Sequence, residues 1–298
     1  MSQSIRHLLS MDDLSESDIQ WIFEKAEHYK KNNRSNLSLK GQIVGLLFYE
    51  PSTRTYQSFS SAAQRLGGGV IGFGDPTSSS AAKGETLSDT IQVMQTFADL
   101  LVVRHPTNGA LKPLREIAQV PIINGGDGSN EHPTQTLYDL FTINEIFGKI
   151  DNLTIGFVGD LKYGRTVHSL TRALLRYNCK LYWIAPDRFQ PDVLDSHLSG
   201  HVEKVSEIDE VISELDVLYV SRPQRERWSS DEQGSDLPII DNEVLRQAKS
   251  SLAVMHALPR VNEIALEVDS NPRAKYFQQV SNAVPVRMAI LDLIGGNK

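Results

Sequence analysis

The chain has 298 residues, 40% of them hydrophobic, with 30 Lys and Arg against 37 Asp and Glu for a net charge of -7. That is long enough for one large or two ordinary domains, too acidic for a phosphate-backbone binder, and, with Cys179 its single cysteine, without a disulfide framework or a Cys-rich zinc site. No apolar run nears the roughly 18 residues of a membrane span and the N-terminus lacks a signal-peptide pattern, so a cytoplasmic protein independent of metal, membrane and nucleic acid is expected.

In chain order, the first predicted helix opens at Ser17, whose hydroxyl would pair with Gln20 in a capping box. It buries Ile19, Ile22, Phe23 and Ala26, spaced i, i+3, i+4, i+7. Apolar runs at 43–48, 70–73, 100–103 and 122–123 read as strands. Between them run helical stripes through Phe59, Ala62, Ala63 and Leu66 and through Leu87, Ile91, Met94 and Ala98. A longer helix is expected over about 133–148. Strands follow at 154–158, 181–185, 202–205, 217–220 and 253–256, with helical segments through Val167, Leu170 and Leu174 and over 211–215. A last helical segment covers about 283–294. β-Branched strands alternating with helices make parallel sheets covered on both faces. The predicted class is therefore α/β: two Rossmann-like α/β domains with parallel sheets, joined by a linking helix, with the C-terminal helix crossing back to the first domain. The expected limits are 1–132 with 283–298 for the first domain, 133–149 for the linking helix and 150–282 for the second. Small and polar, Thr77–Gly84 reads as a mobile surface loop of the kind that carries function.

Ligands of open parallel sheets sit beyond the carboxyl ends of the strands, and there the sequence concentrates its polar clusters. Glu50-Pro51-Ser52-Thr53-Arg54-Thr55 follows the first strand and opens a helix. Three hydroxyls around an arginine exceed the needs of an N-cap and make a phosphate cradle. Arg104-His105-Pro106 follows the third strand. A Gly-rich loop follows the fourth and ends in His132-Pro133-Thr134-Gln135, where Pro133 suits a first helical turn and His132 and Gln135 stand three apart. A lone histidine is more often a satisfied core or surface residue; its place in an irregular loop at a strand end favours function. In the second half, Gly159-Asp160-Leu161-Lys162-Tyr163-Gly164-Arg165-Thr166 nearly matches the ATP-binding P-loop, with Arg165 in place of lysine. An anion-binding arginine at a helix start needs no nucleotide; a nucleotide loop is the alternative. Two more clusters follow strands, Ser221-Arg222-Pro223-Gln224-Arg225-Glu226-Arg227 and His256-Ala257-Leu258-Pro259-Arg260. Arg225 and Arg227 read as solvated surface, and Arg222 as the ligand nearest the strand end. Two arginines at separate strand ends suit a dicarboxylate. A net-acidic chain thus gathers Arg54, Arg104, Arg165, Arg222, Arg260, Lys83 and His132 at strand ends or in the soft loop, the pattern for small, highly anionic ligands.

These segments, in one order from about residue 40 to 290, resemble the catalytic chains of aspartate carbamoyltransferases. Ser52-Thr53-Arg54-Thr55 with His132-Pro133-Thr134-Gln135 marks carbamoyltransferases generally. Lys83-Gly84-Glu85-Thr86 and Arg222-x-Gln224-x-Glu226-Arg227 point to the aspartate branch, and an ornithine enzyme is expected to carry His-Cys-Leu-Pro where this chain has His256-Ala257-Leu258-Pro259. The resemblance implies transfer of the carbamoyl group of carbamoyl phosphate to the amine of L-aspartate, an early step of pyrimidine synthesis, with no metal and no organic cofactor. It implies Ser52, Thr53, Arg54 and Thr55 on the phosphate, Arg104, His132 and Thr55 on the carbonyl oxygen, Gln135 on the carbamoyl nitrogen, and Leu258 and Pro259 beside the same substrate. Arg165 and Arg222 would hold the aspartate carboxylates, supported by Gln224. Ser79 and Lys83 would reach a neighbouring subunit's site, implying a homotrimer with shared active sites, with Lys83 among the catalytic residues. The sequence leaves open whether a regulatory chain joins as a further partner. The first domain would then bind carbamoyl phosphate and the second aspartate.

The residues suit this chemistry without an activated protein nucleophile. Arg104 and His132 can donate to the oxyanion of a tetrahedral species, and Arg54 can offset charge on the departing phosphate. Ala257 stands where proline is usual, Ala82 where some relatives carry a second lysine, and Ala283 where glycine usually follows asparagine; none removes a named ligand. The rival readings are a carbamoyltransferase for another amine, a silent homologue serving as a scaffold, and a P-loop-like NTPase. The scaffold would be expected to have lost Arg54, His132 or Lys83.

Overall fold

The computed structural model describes residues 7–32, 37–78, 80–191, 201–233 and 237–296. The elements are α1 (Glu16–Lys31), β1 (Ile43–Phe48), α2 (Thr53–Arg65), β2 (Gly69–Phe73), α3 (Leu87–Met94), β3 (Leu100–His105), α4 (Leu114–Ile117), β4 (Ile122–Asp127) and α5 (Pro133–Phe147). Then come β5 (Thr154–Gly159), α6 (Arg165–Leu174), β6 (Lys180–Ile184), β7 (Val202–Val205), β8 (Val217–Ser221), α7 (Asn242–Arg246), β9 (Ala253–His256) and α8 (Tyr276–Gly295). Among the described residues no helix is long and apolar enough to cross a membrane.

The chain forms two compact units, Met1–Phe141 with Asn282–Lys298, and Thr142–Ser281. The division runs through α5 and α8, so each helix belongs in part to both units, whereas the sequence reading set the whole of 133–149 apart as a linker. From Asn282 onward α8 is counted with the first unit, as expected of a crossing-back helix.

In the first unit the strand order is β2-β1-β3-β4, every pair parallel. The central strands β1 and β3 are almost wholly buried runs of Val, Leu and Ile, as both faces of a covered parallel sheet require. Edge strand β2 is partly exposed and glycine-bearing. One pairing escaped the sequence reading: Leu8 joins β4, its N–H donating to the Ile122 carbonyl at 2.8 Å and its carbonyl accepting from Asn124 N–H at 2.8 Å. α1 packs in this unit with α8, where Tyr29 Oη donates to Asp292 Oδ2 (2.7 Å) and Lys30 Nζ to Asn282 Oδ1 (2.8 Å). The cap of α1 is Ser15, not Ser17. Its hydroxyl accepts from Asp18 N–H (3.2 Å) while the Asp18 carboxylate accepts Ser15 N–H (2.9 Å), a charged acceptor at N3 that the neutral Gln20 does not match.

In the second unit the order is β7-β6-β5-β8-β9, again all parallel. Its core gathers Val158, Ile184, Leu218, Val220, Val254 and Ile264. The helix expected over 211–215 is instead a 3-10 turn, Ile208–Glu210, running into further turns. Val211, Ile212 and Leu215 are nonetheless buried in that core, so the apolar spacing reported burial and not a helix.

Candidate active site

In the first unit the chain departs in opposite directions from β1 and β3, the point where ligands of such sheets collect. The loop after β1 leads into α2. Ser52, its N-cap, is extended (φ -156°, ψ 91°), makes no side-chain cap bond, and no acidic residue lies in the first turn. A helix N-terminus without a side-chain cap, with no negative charge of its own, leaves its N–H groups and positive dipole end for an anion. Thr53 and Arg54 are exposed there and Thr55 is buried. Thr55 Oγ1 comes within 3.5 Å of His132 Nε2, which joins this turn to the start of α5.

Arg104, at the end of β3, is buried and fixed from two sides. Nη1 donates to the Gly125 carbonyl (3.2 Å) and Nη2 pairs with Glu50 Oε2 (3.2 Å). Opposite it the β3–β4 register slips, with Val103 beside Asn124 but His105 beside Asp127, a bulge of the kind that re-aims side chains near sites. Gly126 in this bulge has φ +116°, and a Cβ there would lie 2.8 Å from Arg104 Nη1. The glycine therefore makes room for the guanidinium. His132, just before α5, and Gln135, on its first turn, are both buried, and the helix opens with Pro133 as expected. Gln135 is oriented at both ends, its Nε2 donating to Asp139 Oδ1 (2.8 Å) and its Oε1 accepting from the Tyr138 hydroxyl. Burial raises the Tyr138 phenol's pKa, against the pull of the nearby Arg287 and Arg54 charges. Arg54, Thr55, Arg104, His132 and Gln135 thus belong to one cationic corner of the first unit.

In the second unit the corresponding reversal lies between β5 and β8. Gly159 ends β5 at φ +109°, and a Cβ would sit 2.4 Å from the Ser221 carbonyl oxygen, so glycine is required for the two loops to approach. They are tied by the fully buried Asp160. Its carboxylate accepts Tyr163 N–H (3.1 Å), Gln224 N–H (2.8 Å) and Trp228 Nε1–H (2.8 Å), while its carbonyl accepts Ser221 Oγ–H (2.8 Å). One carboxylate therefore holds the loop carrying Arg165 to the loop carrying Arg222 and Gln224. It also takes an N–H that a phosphate loop would turn toward its nucleotide, which argues against the P-loop alternative. Arg165 opens α6 behind Gly164, again with no side-chain cap bond. Arg222 donates to Glu226 (2.5 and 3.3 Å) and to Gln224 Oε1 (3.0 Å) with its side chain 25% exposed. The fork is oriented but reachable.

Leu258 and Pro259 form a turn after β9, with Leu258 at φ +51° and a cis Leu258–Pro259 bond. Buried His256 accepts Leu258 N–H at Nδ1 (2.7 Å) and pairs through Nε2 with Glu263 Oε1 (2.8 Å), while Glu263 Oε2 accepts Val261 and Asn262 N–H (3.0 Å each). Burial pushes the Glu263 carboxyl up, but His256 and the backbone N–H groups outweigh it and hold the pKa at about 2 against an ordinary 4.5. Glu232 is likewise held at about 2 by Ser229 N–H, Lys162 and Tyr163. A carboxylate with a depressed folded-state pKa adds stability above its unfolded value and loses it as pH falls through the folded one. The thermal midpoint is accordingly expected to drop between pH 4.5 and about 2, and Glu263→Gln to flatten that slope. A variant with an unaltered slope between those limits would remove Glu263 from the account.

Of the other candidates, Lys83 closes the 3-10 turn Ser80–Lys83 with its side chain exposed, and Ser79 lies outside the described residues. Arg260, its side chain 14% exposed against 25% for Arg222, is the less reachable of these two carboxylate-paired arginines. Both its terminal nitrogens are taken by Asp269 (2.5 and 2.6 Å), with Tyr276 Oη at 3.2 Å. His105 accepts Thr107 N–H (3.1 Å) and packs on Tyr49, and burial lowers its pKa. The sequence reading assigned no role to Glu50, Asp160, Glu263 or Arg287. Asp160 had the one available signal, a carboxylate directly after a strand-ending glycine.

The chain is similar over nearly its whole length to known proteins. The model of the aspartate/ornithine carbamoyltransferase carbamoyl-P binding domain matches residues 6–145, and that of the Asp/Orn binding domain matches 151–294. The aspartate carbamoyltransferase catalytic subunit of Thermococcus gammatolerans is 49% identical, with 98% of each chain covered. Among solved structures, the catalytic subunit of M. jannaschii aspartate transcarbamoylase is 44% identical with a TM-score of 0.86, covering 98% of this chain and 99% of that one. Aspartate transcarbamoylase from Trypanosoma cruzi in complex with carbamoyl phosphate is 38% identical with a TM-score of 0.90, covering 97% and 96%. With the two domain models together matching residues 6–145 and 151–294, the chain belongs to the aspartate/ornithine carbamoyltransferase family.

Proposed function

We propose that the chain is a carbamoyltransferase that moves the carbamoyl group of carbamoyl phosphate onto the amine of L-aspartate, giving N-carbamoyl-L-aspartate and phosphate. The observation that carries this reading is the α2 N-terminus without a side-chain cap, with Arg54 on its first turn and buried Arg104 and His132 in the same corner of the unit. The phosphate takes the N–H groups and hydroxyls of Ser52, Thr53 and Thr55 and the Arg54 guanidinium. Arg104, His132 and Thr55 donate to the carbamoyl oxygen, and Gln135, oriented by Tyr138 and Asp139, meets the carbamoyl nitrogen. Arg165 and Arg222 grip the two aspartate carboxylates, with Gln224 steadying Arg222. The same reading gives the Leu258–Pro259 turn to carbamoyl phosphate, and assigns carbamoyl phosphate to the first unit and aspartate to the second.

The neutral amine attacks the carbamoyl carbon, and a C–N bond forms as the carbonyl electrons move onto oxygen. Fixed donors that need not reorganise stabilise that oxyanion. The C–O bond to phosphate then breaks, with Arg54 offsetting the growing charge and the departing phosphate taking the amine proton. Holding two anions side by side supplies the remainder, as positioning does in other two-substrate reactions.

The proposal extends to a cytoplasmic enzyme of pyrimidine synthesis working as a homotrimer, Ser79 and Lys83 completing a neighbour's site, with a regulatory chain as a further partner. The exposure of Lys83 supports its part in this. Purified chain given carbamoyl phosphate and L-aspartate is expected to release carbamoyl-aspartate and phosphate in equal amounts, with ornithine inert because Arg222 repels a cationic side chain. Equal rates with ornithine, or no product with either, would overturn the assignment. Mixing Lys83→Ala chains with Arg54→Ala chains, each inactive alone, is expected to restore activity if sites are shared; no recovery counts against the shared trimer.

A further inference from the structure

Arg287, on α8, is fully buried, 1% exposed, yet belongs to no motif named above. Its guanidinium lies 4.7 Å from the ring centroid of Phe59 on α2 and 5.4 Å from that of Tyr138 on α5, and it donates to Ser58 Oγ. Burial lowers its pKa to about 10, with Tyr138 and Asp139 pulling the other way, so it stays charged at neutral pH. Burying a guanidinium is costly, and an apolar side chain of that size would fill the space more cheaply. What the charge touches gives the reason to keep it. Ser58, having accepted from Arg287, donates its hydroxyl hydrogen to the Arg54 carbonyl, with the Thr55 carbonyl also 3.1 Å away. The Arg54 carbonyl and the Thr55 N–H are two ends of one peptide group. Drawing electrons toward the first sharpens the second as a donor, and chains of hydrogen bonds strengthen one another in this way. On the other side, Tyr138, stacked on the same guanidinium, donates to Gln135 Oε1 and so sets which end of that amide points outward.

We infer that Arg287 is a positioning residue for the anion cradle, acting on the Thr55 N–H through Ser58 and on the Gln135 amide through Tyr138. This rests on reading the α2 N-terminus as the phosphate site. The same residue carries two arms because α2 and α5 both meet α8 at this point within the first unit.

The test uses full-length chain with inorganic phosphate as the probe, alongside the KM for each substrate. Arg287→Met is expected to weaken phosphate binding and raise the carbamoyl phosphate KM by about ten- to a hundredfold, the worth of one hydrogen bond to a charged group. The aspartate KM should move less than about threefold. Arg287→Lys keeps the charge but not the planar fork and should fall between. Ser58→Ala, which breaks the relay and leaves the cation, should lose a comparable amount. The double variant should lose no more than the worse single one, since both act in one chain. A folded Arg287→Met chain that binds phosphate like the parent, with only its melting temperature lowered, makes the residue structural and overturns the inference; so does additivity in the double variant. If Arg287→Met fails to fold, Arg287→Lys and Ser58→Ala decide alone, and unchanged phosphate binding in both is equally fatal. A parent chain that binds no phosphate would instead sink the underlying site reading, which keeps the two failures apart.

Discussion

Arg54→Ala is expected to lower kcat by about two to three orders of magnitude or more, the loss seen when a preplaced donor to developing charge is removed. The size follows from where the charge appears. Carbamoyl phosphate already carries its phosphate charge when bound, but the leaving group gains more as the C–O bond breaks, so an arginine at that position acts more on the transition state than on the ground state. The carbamoyl phosphate KM should therefore change less than kcat. The fold should not suffer, because the Arg54 side chain is exposed and the α8 relay reaches its carbonyl, not its guanidinium. This separates it from His132→Ala, which is expected to cost similar turnover but also stability, since His132 is buried against Thr55. Steady-state rates at saturating aspartate, with melting temperatures measured on the same samples, check both. An Arg54→Ala chain turning over within about tenfold of the parent would mean that phosphate departure is eased by another group.

The candidate site was legible where its polar clusters lie next to a strand end in the chain. Ser52–Thr55, Arg104, His132 with Gln135, Arg165 and Arg222 all lie at the end of a buried parallel strand or within a few residues after one, and such strands announce themselves as short β-branched runs. The residues that hold those ligands in place were not legible, because their partners are distant in sequence. Arg287 meets Ser58 across 229 positions, and Asp160 meets Gln224 across 64. The same contrast runs through the fold. The strand at 122–127 looked two residues long because Asn124, Gly125 and Gly126 lack strand propensity, although Asn124 N–H pairs with Leu8 and the glycines form the bulge under Arg104. α8 begins at Tyr276, seven residues before the sequence reading opened it, since Gln278, Gln279, Ser281 and Asn282 interrupt its apolar stripe. Yet Gln279 and Asn282 are fully buried, the first accepting His256 N–H at 2.8 Å and the second accepting from Lys30. Polar residues at core positions hid the helix, and they are satisfied by partners only the folded chain brings near. Arg260 errs in the other direction. It follows a strand as a ligand would, but Asp269, nine positions on, pairs with it and leaves it less reachable than Arg222.

For the second substrate the largest effect is expected at Arg222. Arg222→Met should lower kcat/KM for aspartate by roughly 30-fold to several-thousand-fold, the range for leaving one member of a hydrogen-bonded charge pair without its partner. The loss should lie mainly in KM, because the aspartate carboxylates carry the same charge before and during reaction. Arg222→Lys should recover only part of it, since a point charge cannot offer the parallel N–H pair that a carboxylate takes from guanidinium. The geometry adds a constraint that sets the direction of the effect. Arg222 is already bound by Glu226 and Gln224, and the Glu226 carboxyl is held below its ordinary range by that contact. A carboxylate binding there would therefore meet a fork whose rotamer is fixed in advance, so the entropy of orienting it need not be lost on binding. Removing the fork forfeits both the charge and that preorganisation, whereas the carbamoyl phosphate KM should stay within about twofold. If aspartate KM is unmoved in a folded Arg222→Met chain, the carboxylates are gripped elsewhere. If the carbamoyl phosphate KM moves as far as that of aspartate, Arg222 belongs to the other substrate.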